Sequence, residues 1–198
     1  MSKENSVRLG YEKYGVDEYY ITHRDTYKNP MSDIVAELVK YGELNWGYGK
    51  RVLDLCCGSG EVTLSLCGAK ESSGLRETGG LRELDGLEIL GFDPYTCALY
   101  EKNTNKKCLK GSFDDIISGR LGVYRFDTII CSFALHLCEE SKLDSLLWQL
   151  SLICANLVII TPHKRPDCNG IAFELVDSYK KDRVTIRLYH SKNSDLCS

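Results

Sequence analysis

Residues 52–60 read Val-Leu-Asp-Leu-Cys-Cys-Gly-Ser-Gly, an apolar run that ends in an acid and then in two closely spaced glycines. Glycine at 58 and 60 lets the chain turn tightly and bring its backbone against a ligand. The segment from Glu61 onward reads as a helix, whose first N–H groups are free to hold a negative group. The dinucleotide fingerprint needs a third glycine, or an alanine, where this chain has Thr63, so a nicotinamide-dependent oxidoreductase is set aside. Asp54, four positions before Gly58, also has the wrong charge for a pyrophosphate. It suits a ligand with a cationic or donor-rich end.

Further along, His136 follows the apolar run 126–132 and is either a base or donor toward a bound substrate or a structural histidine. His163, Lys164 and Arg165 form a basic loop after the apolar run 156–161. In open α/β sheets ligands collect outside the carboxyl ends of the strands, which puts this loop on the active face. There it would hold an acidic substrate or a phosphate backbone, or simply be solvated. Ser132, His136 and His163 are the candidates for a base. Ten cysteines are present, without a C-x-x-C pair and without Cys/His zinc-ligand spacing, so no metal site is expected. Most lie inside apolar runs, where cysteine acts as a small hydrophobe. Reduced thiols are expected in preference to a disulfide framework.

These groups need elements to position them. With 198 residues there is room for one ordinary domain, and 43% apolar with 27% charged residues is globular composition. No apolar run is long enough to span a bilayer, and no secretory leader is visible behind the polar start, so a cytoplasmic protein is expected, with the nucleus left open. A net charge of −3 argues against a generally basic nucleic-acid surface. Runs at 51–56, 88–93, 126–132 and 156–161, with a weak one at 106–109, read as strands buried on both faces. Helical spacing fills the gaps: from Pro30 and Ser32 through Val39, from Ser141 (paired with Asp144 as a capping arrangement) to Cys154, and over Gly170–Tyr179. Residues 183–189 alternate as a half-buried antiparallel strand. The fold expected is α/β, a three-layer open, mostly parallel sheet of about six or seven strands with an antiparallel last strand. Residues 1–45 form an N-terminal helical cap and 46–198 the core, interrupted at about 71–88 by a glycine-punctuated, repetitive insertion read as flexible. With one strand after the last helix, the sheet looks abridged.

The chain resembles the class I S-adenosylmethionine-dependent methyltransferases over about Tyr41 to Tyr189. Their first motif, acidic-x-Gly-x-Gly-x-Gly, is matched by Asp54-Leu-Cys56-Cys57-Gly58-Ser59-Gly60, with Cys56 in place of the first glycine. Gly91-Phe-Asp93-Pro94-Tyr95 resembles the second, whose strand-end acid binds the ribose hydroxyls; the insertion lengthens the usual spacing of about 20 residues. Lys110-Gly-Ser112-Phe113-Asp114-Asp115 resembles the third, at the adenine, with Asp114 preferred to Asp115. Residues 126–137 resemble the fourth, which brings Ser132, Phe133 and His136 beside the methyl donor. The resemblance implies S-adenosylmethionine as cofactor, S-adenosylhomocysteine as product, and methyl transfer by in-line displacement.

The acceptor stays open. A small molecule is favoured over RNA or protein, and a domain that binds the cofactor or a partner protein without turnover is the alternative. The Asn/Asp-Pro-Pro-Tyr/Phe form of the fourth motif is missing, as is a Pro-Cys pair, so no nucleophilic cysteine is indicated. An aromatic N-terminal stretch is expected to wall the acceptor pocket or to pack as a cap without touching substrate. Tyr19, Tyr27 and Asn29 are its candidates for ligand contact, and His163, Lys164 and Arg165 those of the strand-end loop.

Overall fold

A computed structural model describes residues 29–69 and 86–193, together with the isolated position 22. Seven strands and five helices alternate through it. Helix α1 (Ser32–Asn45) leads into β1 (Arg51–Leu55), followed by α2 (Glu61–Ala69), β2 (Glu88–Asp93), α3 (Cys97–Thr104), β3 (Cys108–Lys110) and α4 (Phe113–Ile117). Then come β4 (Phe126–Ser132), a short 3-10 turn (Leu135–Leu137), α5 (Glu140–Ser151), β5 (Cys154–Thr161), β6 (Phe173–Lys181) and β7 (Val184–Ser191). The insertion expected at 71–88 lies outside the described residues up to position 85.

The strand order is β3-β2-β1-β4-β5-β7-β6, parallel from β3 to β5 and antiparallel at β7 and β6. The order reverses between β1 and β4, so the switch point falls at the end of the strand that carries Asp54. Each central strand feeds two cores by alternation. Leu53 and Leu55 of β1, Ile129 and Cys131 of β4, and Leu157 and Ile159 of β5 face α4 and α5. Val52, Ile130, Val158 and Ile160 point the other way, toward Val35, Leu38 and Val39 of α1 and Val62 and Leu66 of α2. These side chains are buried almost completely, and each contributes roughly 1.5–3 kcal/mol of transfer free energy. Unbroken apolar runs are therefore what the strands require, because neither face meets water.

Three expectations fail. The segment read as a last helix, Gly170–Tyr179, is largely β6, which pairs with β7 in a terminal hairpin; the sheet is complete at seven strands. A bulge between Leu175 and Asp177 explains the misreading. It inserts one residue, which breaks the period-two alternation and turns Asp177 and Tyr179 to the face opposite Phe173. Phe173 is buried on the α5 side, whereas Tyr179 stacks on Tyr41 of α1 at 4.0 Å and Trp46 Nε1 donates to Asp177 at 2.9 Å. Second, α5 begins at Glu140 without a side-chain cap, so the Ser141–Asp144 arrangement does not form. Third, Cys97 and Cys108 are joined by a disulfide, against the expectation of thiols throughout: the first residues of α3 and β3 stand face to face, with Cα atoms 5.2 Å apart. Cys56, Cys57, Cys67, Cys131, Cys138 and Cys168 are free thiols.

Candidate active site

At the switch point the β1–α2 turn folds over the end of β2. The amides of Cys56 and Cys57 both donate to the Phe92 carbonyl, at 2.7 and 3.3 Å, and the Gly58 amide donates to Asp93 Oδ2 at 3.3 Å. Asp93 Oδ1 accepts from the amides of Tyr95 and Thr96, at 2.8 and 2.9 Å. One carboxylate thus ties the first glycine turn to the start of α3. Gly58 takes φ +54° and Gly60 +95°, as the turn demands. Cys56 takes φ +56°, a region that favours glycine. The turn therefore survives the replacement of glycine by cysteine, at the backbone strain expected near a ligand site.

Asp54 lies beneath this turn and is buried. Its Oδ2 accepts from the Thr63 amide at 3.2 Å and from the Thr63 hydroxyl at 2.8 Å, and that hydroxyl shares a further hydrogen bond with Tyr100. Threonine at the position of the missing third glycine therefore clamps α2 to β1. Burial pushes the Asp54 carboxyl up to about 8, against the opposing Thr63 bonds and helped by the neighbouring Glu61 and Asp93 charges. Ser59 donates to Glu61, which also accepts the Asn29 amide at 3.1 Å, so Asn29 is fastened to the turn.

A cavity of about 180 Å³ opens at the ends of β1, β2 and β4. Of the residues expected at a cofactor, Cys56, Gly58, Asp93, Pro94, Ser112, Phe113, Ser132 and Phe133 line it together. Asp54, Ser59 and Gly60 form the support behind the wall. Asp114 points away, paired with Lys142 at 3.0 Å, and Asp115 is spent on a capping box with Ser112. That box, with the Ser112 amide donating to Asp115 at 2.8 Å, fixes where Ser112 and Phe113 meet the cavity. Phe92, Tyr95, Gly111, Ala134 and Leu137 also line it, and sequence reasoning missed them. Gly111 carried a signal: a Cβ there would stand 2.5 Å from the Phe92 ring. Phe133, like Cys56, takes φ +56°, with its amide on the Ile160 carbonyl.

His136 sits just beyond Leu137 and Ala134, and its ring lies 4.4 Å from that of His163. Burial, then the His163 charge, hold its imidazole below the usual histidine range. His136, Lys164 and Arg165 border a second, wider cleft of about 710 Å³. Tyr19 and Tyr27 lie outside the described residues. Burial keeps the Cys57 thiol protonated, and Cys56 is held up by its contact with Cys131 and by burial. No metal-holding group of three or more His, Cys, Asp or Glu exists among the described residues, and no helix there is long and apolar enough to cross a membrane.

No protein-family model matches the chain. Its structure is similar to the N-methyltransferase NodS from Bradyrhizobium japonicum WM9 in complex with S-adenosylhomocysteine, at a TM-score of 0.63 with 14% identity, over 90% of this chain and 98% of that one. It is also similar to the magnesium protoporphyrin IX methyltransferase ChlM from Synechocystis PCC 6803 with bound SAM, at a TM-score of 0.56 with 15% identity, over 94% and 95% of the two chains. In sequence it is 30% identical over 232 aligned positions to the uncharacterized protein C17A5.05c of Schizosaccharomyces pombe, covering 95% of this chain and 93% of that protein. The chain belongs to one family with that fission-yeast protein, and it is built on the class I S-adenosylmethionine-dependent methyltransferase fold.

Proposed function

We propose that the protein is an S-adenosylmethionine-dependent methyltransferase acting on a small-molecule acceptor. The observation that carries this reading is the cavity at the switch point, which gathers residues of all four motifs onto one wall. The donor set fits the cofactor. Asp93 offers a strand-end carboxylate to vicinal hydroxyls, Phe113 and Pro94 offer flat apolar surface to a base, and the Ser132 hydroxyl is buried with no partner among the described residues. NodS and ChlM, which share the fold, were solved with the product or the cofactor bound.

When bound, the cofactor supplies a methyl group already activated by its sulfonium. The chain's task is then alignment. The Gly58 turn and Asp93 anchor one side, the Ser112 and Phe113 corner holds the other, and Ser132 to Ala134 face the space between. Asp54 supports the turn from behind through Thr63. His136 stands beside this space with a largely neutral imidazole, the form that takes a proton from an acceptor whose nucleophile starts protonated.

Isothermal titration with S-adenosylmethionine and with S-adenosylhomocysteine tests the reading, and failure of both to bind would overturn it. Methyl-labelled cofactor incubated with fractionated cell extract then locates the acceptor. Label in small metabolites is the expected result; label confined to RNA or protein would remove the small-molecule assignment.

A further inference from the structure

Resting on that methyltransferase reading, we propose that the wide cleft beside the histidine pair is the acceptor site and that it selects acceptors carrying a carboxylate or phosphate group. The cleft is bounded by His136, Cys138 and Leu143 on one side and by Lys164, Arg165 and Pro166 on the other. It meets the cofactor cavity at the 3-10 turn, where Leu137 lines one and His136 the other. An acceptor seated here has its reacting end next to the Ser132–Ala134 wall.

Lys164 and Arg165 line the cleft together with Glu140 and Asp167, and these four charges pair poorly. Lys164 has no ion-pair or hydrogen-bond partner among the described residues. Arg165 reaches Glu140 only at 3.8 Å, with both side chains about nine-tenths exposed, a pair that contributes little. Beneath the loop a third cation is held in place: Arg187 of β7 donates from Nη2 to the His163 carbonyl at 3.2 Å. Its Nη1 is buried and has no partner among the described residues. A guanidinium donor taken out of water without an acceptor is costly. Asp167 and Glu140 also border the cleft, yet neither forms an ion pair with Arg187. Lys164 and Arg165 thus stand at the cleft wall with at most one weak ion pair between them, and Arg187, behind the loop and outside the lining, adds positive charge beneath. The group that completes such an arrangement is an anion, held through charge-assisted hydrogen bonds from planar and point donors together.

Benzoate and phenyl phosphate serve as probes, with phenol as the neutral control, each titrated into the full chain while the His136 and His163 imidazole proton signals are followed by NMR. Both anions are expected to shift these signals saturably and phenol is not; the tighter of the two identifies the anionic group. A Lys164→Ala, Arg165→Ala double variant is expected to weaken that binding at least tenfold while keeping the wild-type affinity for S-adenosylmethionine. Phenol acting as well as benzoate, neither anion binding, or an unchanged double variant would each overturn the proposal. Calorimetry with S-adenosylmethionine on the same samples reads the methyltransferase assignment separately. Loss of cofactor binding with intact anion binding sinks the function and spares the cleft; the reverse sinks the cleft alone.

Discussion

Replacing Asp93 by asparagine separates its two duties. The carboxylate accepts from three amides, those of Gly58, Tyr95 and Thr96. Asparagine keeps one oxygen for the two short bonds to Tyr95 and Thr96, and sets an NH₂ group against the Gly58 amide, where no hydrogen bond forms. The long 3.3 Å bond is the one lost, so the stability cost is about 1 kcal/mol, or roughly 2–4 °C in Tm for a domain of this size. Cofactor binding suffers more. A carboxylate accepts two ribose O–H groups with charge assistance, whereas the amide offers a single neutral oxygen already engaged by the backbone. The difference, about 2–3 kcal/mol, is roughly a 30- to 150-fold weaker affinity. Calorimetric titration with S-adenosylmethionine, beside thermal melting of the unliganded protein, measures both. An Asp93→Asn variant that melts a few degrees lower yet binds within threefold of wild type would show that Asp93 only shapes the turn, and the assignment of the ribose site would fall with it.

The buried acid gives a second handle. Because the Asp54 carboxyl sits at about 8 in the folded chain, above its unfolded value, its contribution to stability is full in acid and is lost as pH rises toward 8. Urea denaturation of the wild type from pH 5 to 8 is expected to weaken by up to about 1.4 kcal/mol per pH unit relative to Asp54→Asn, and parallel profiles would refute it. Gly91 lies against the Tyr100 ring, where a Cβ would come within 2.6 Å, so Gly91→Ala is expected to cost about 1–3 kcal/mol in the same assay. The His136 imidazole is held low by burial and by His163. His163→Gln is accordingly expected to raise the NMR midpoint of His136 toward the ordinary histidine value, and no change would mean that the pair is not electrostatically coupled.

The central strands were legible because their chemistry is redundant. Four runs of apolar residues, buried on both faces, can satisfy no other element, and these four and the weaker β3 all appear within two residues of their expected limits. The edge was not legible for the opposite reason. Residues of β6 are exposed along nearly their whole length, so burial imposes no period there, and the bulge at Leu175–Asp177 removes what alternation remained. Only the ladder to β7 makes it a strand. The Cys97–Cys108 bridge was hidden in the same way: it depends on β3 lying beside β2, which places the start of α3 against the start of β3, and no local spacing reveals that.

Within the site, legibility divides along the direction in which side chains point. Residues at strand ends project by rule into the crevice, and Asp93, Ser132 and Phe133, expected from the resemblance to the second and fourth motifs, line it. Asp114 and Asp115 follow a strand by one short loop, and there the first turn of α4 decides. The capping box consumes Asp115 and rotates Asp114 outward to Lys142, leaving Ser112 and Phe113 on the wall. Asp54 shows the same logic in reverse. Its position one residue before the end of β1 gives it the parity of Val52, which faces α2, and so it acts through Thr63 and the turn rather than from the cavity surface. Arg187 had no sequence signal at all, since an arginine in an alternating antiparallel strand reads as solvent-facing. Its partner, the His163 carbonyl, belongs to a loop that is adjacent only because β7 inserts antiparallel beside β5. The antiparallel hairpin that closes this sheet therefore has a use beyond covering the edge of β5. It carries the Arg187 guanidinium, opposite Ile159 near the end of β5, under the strand-end loop, where it donates to the His163 carbonyl.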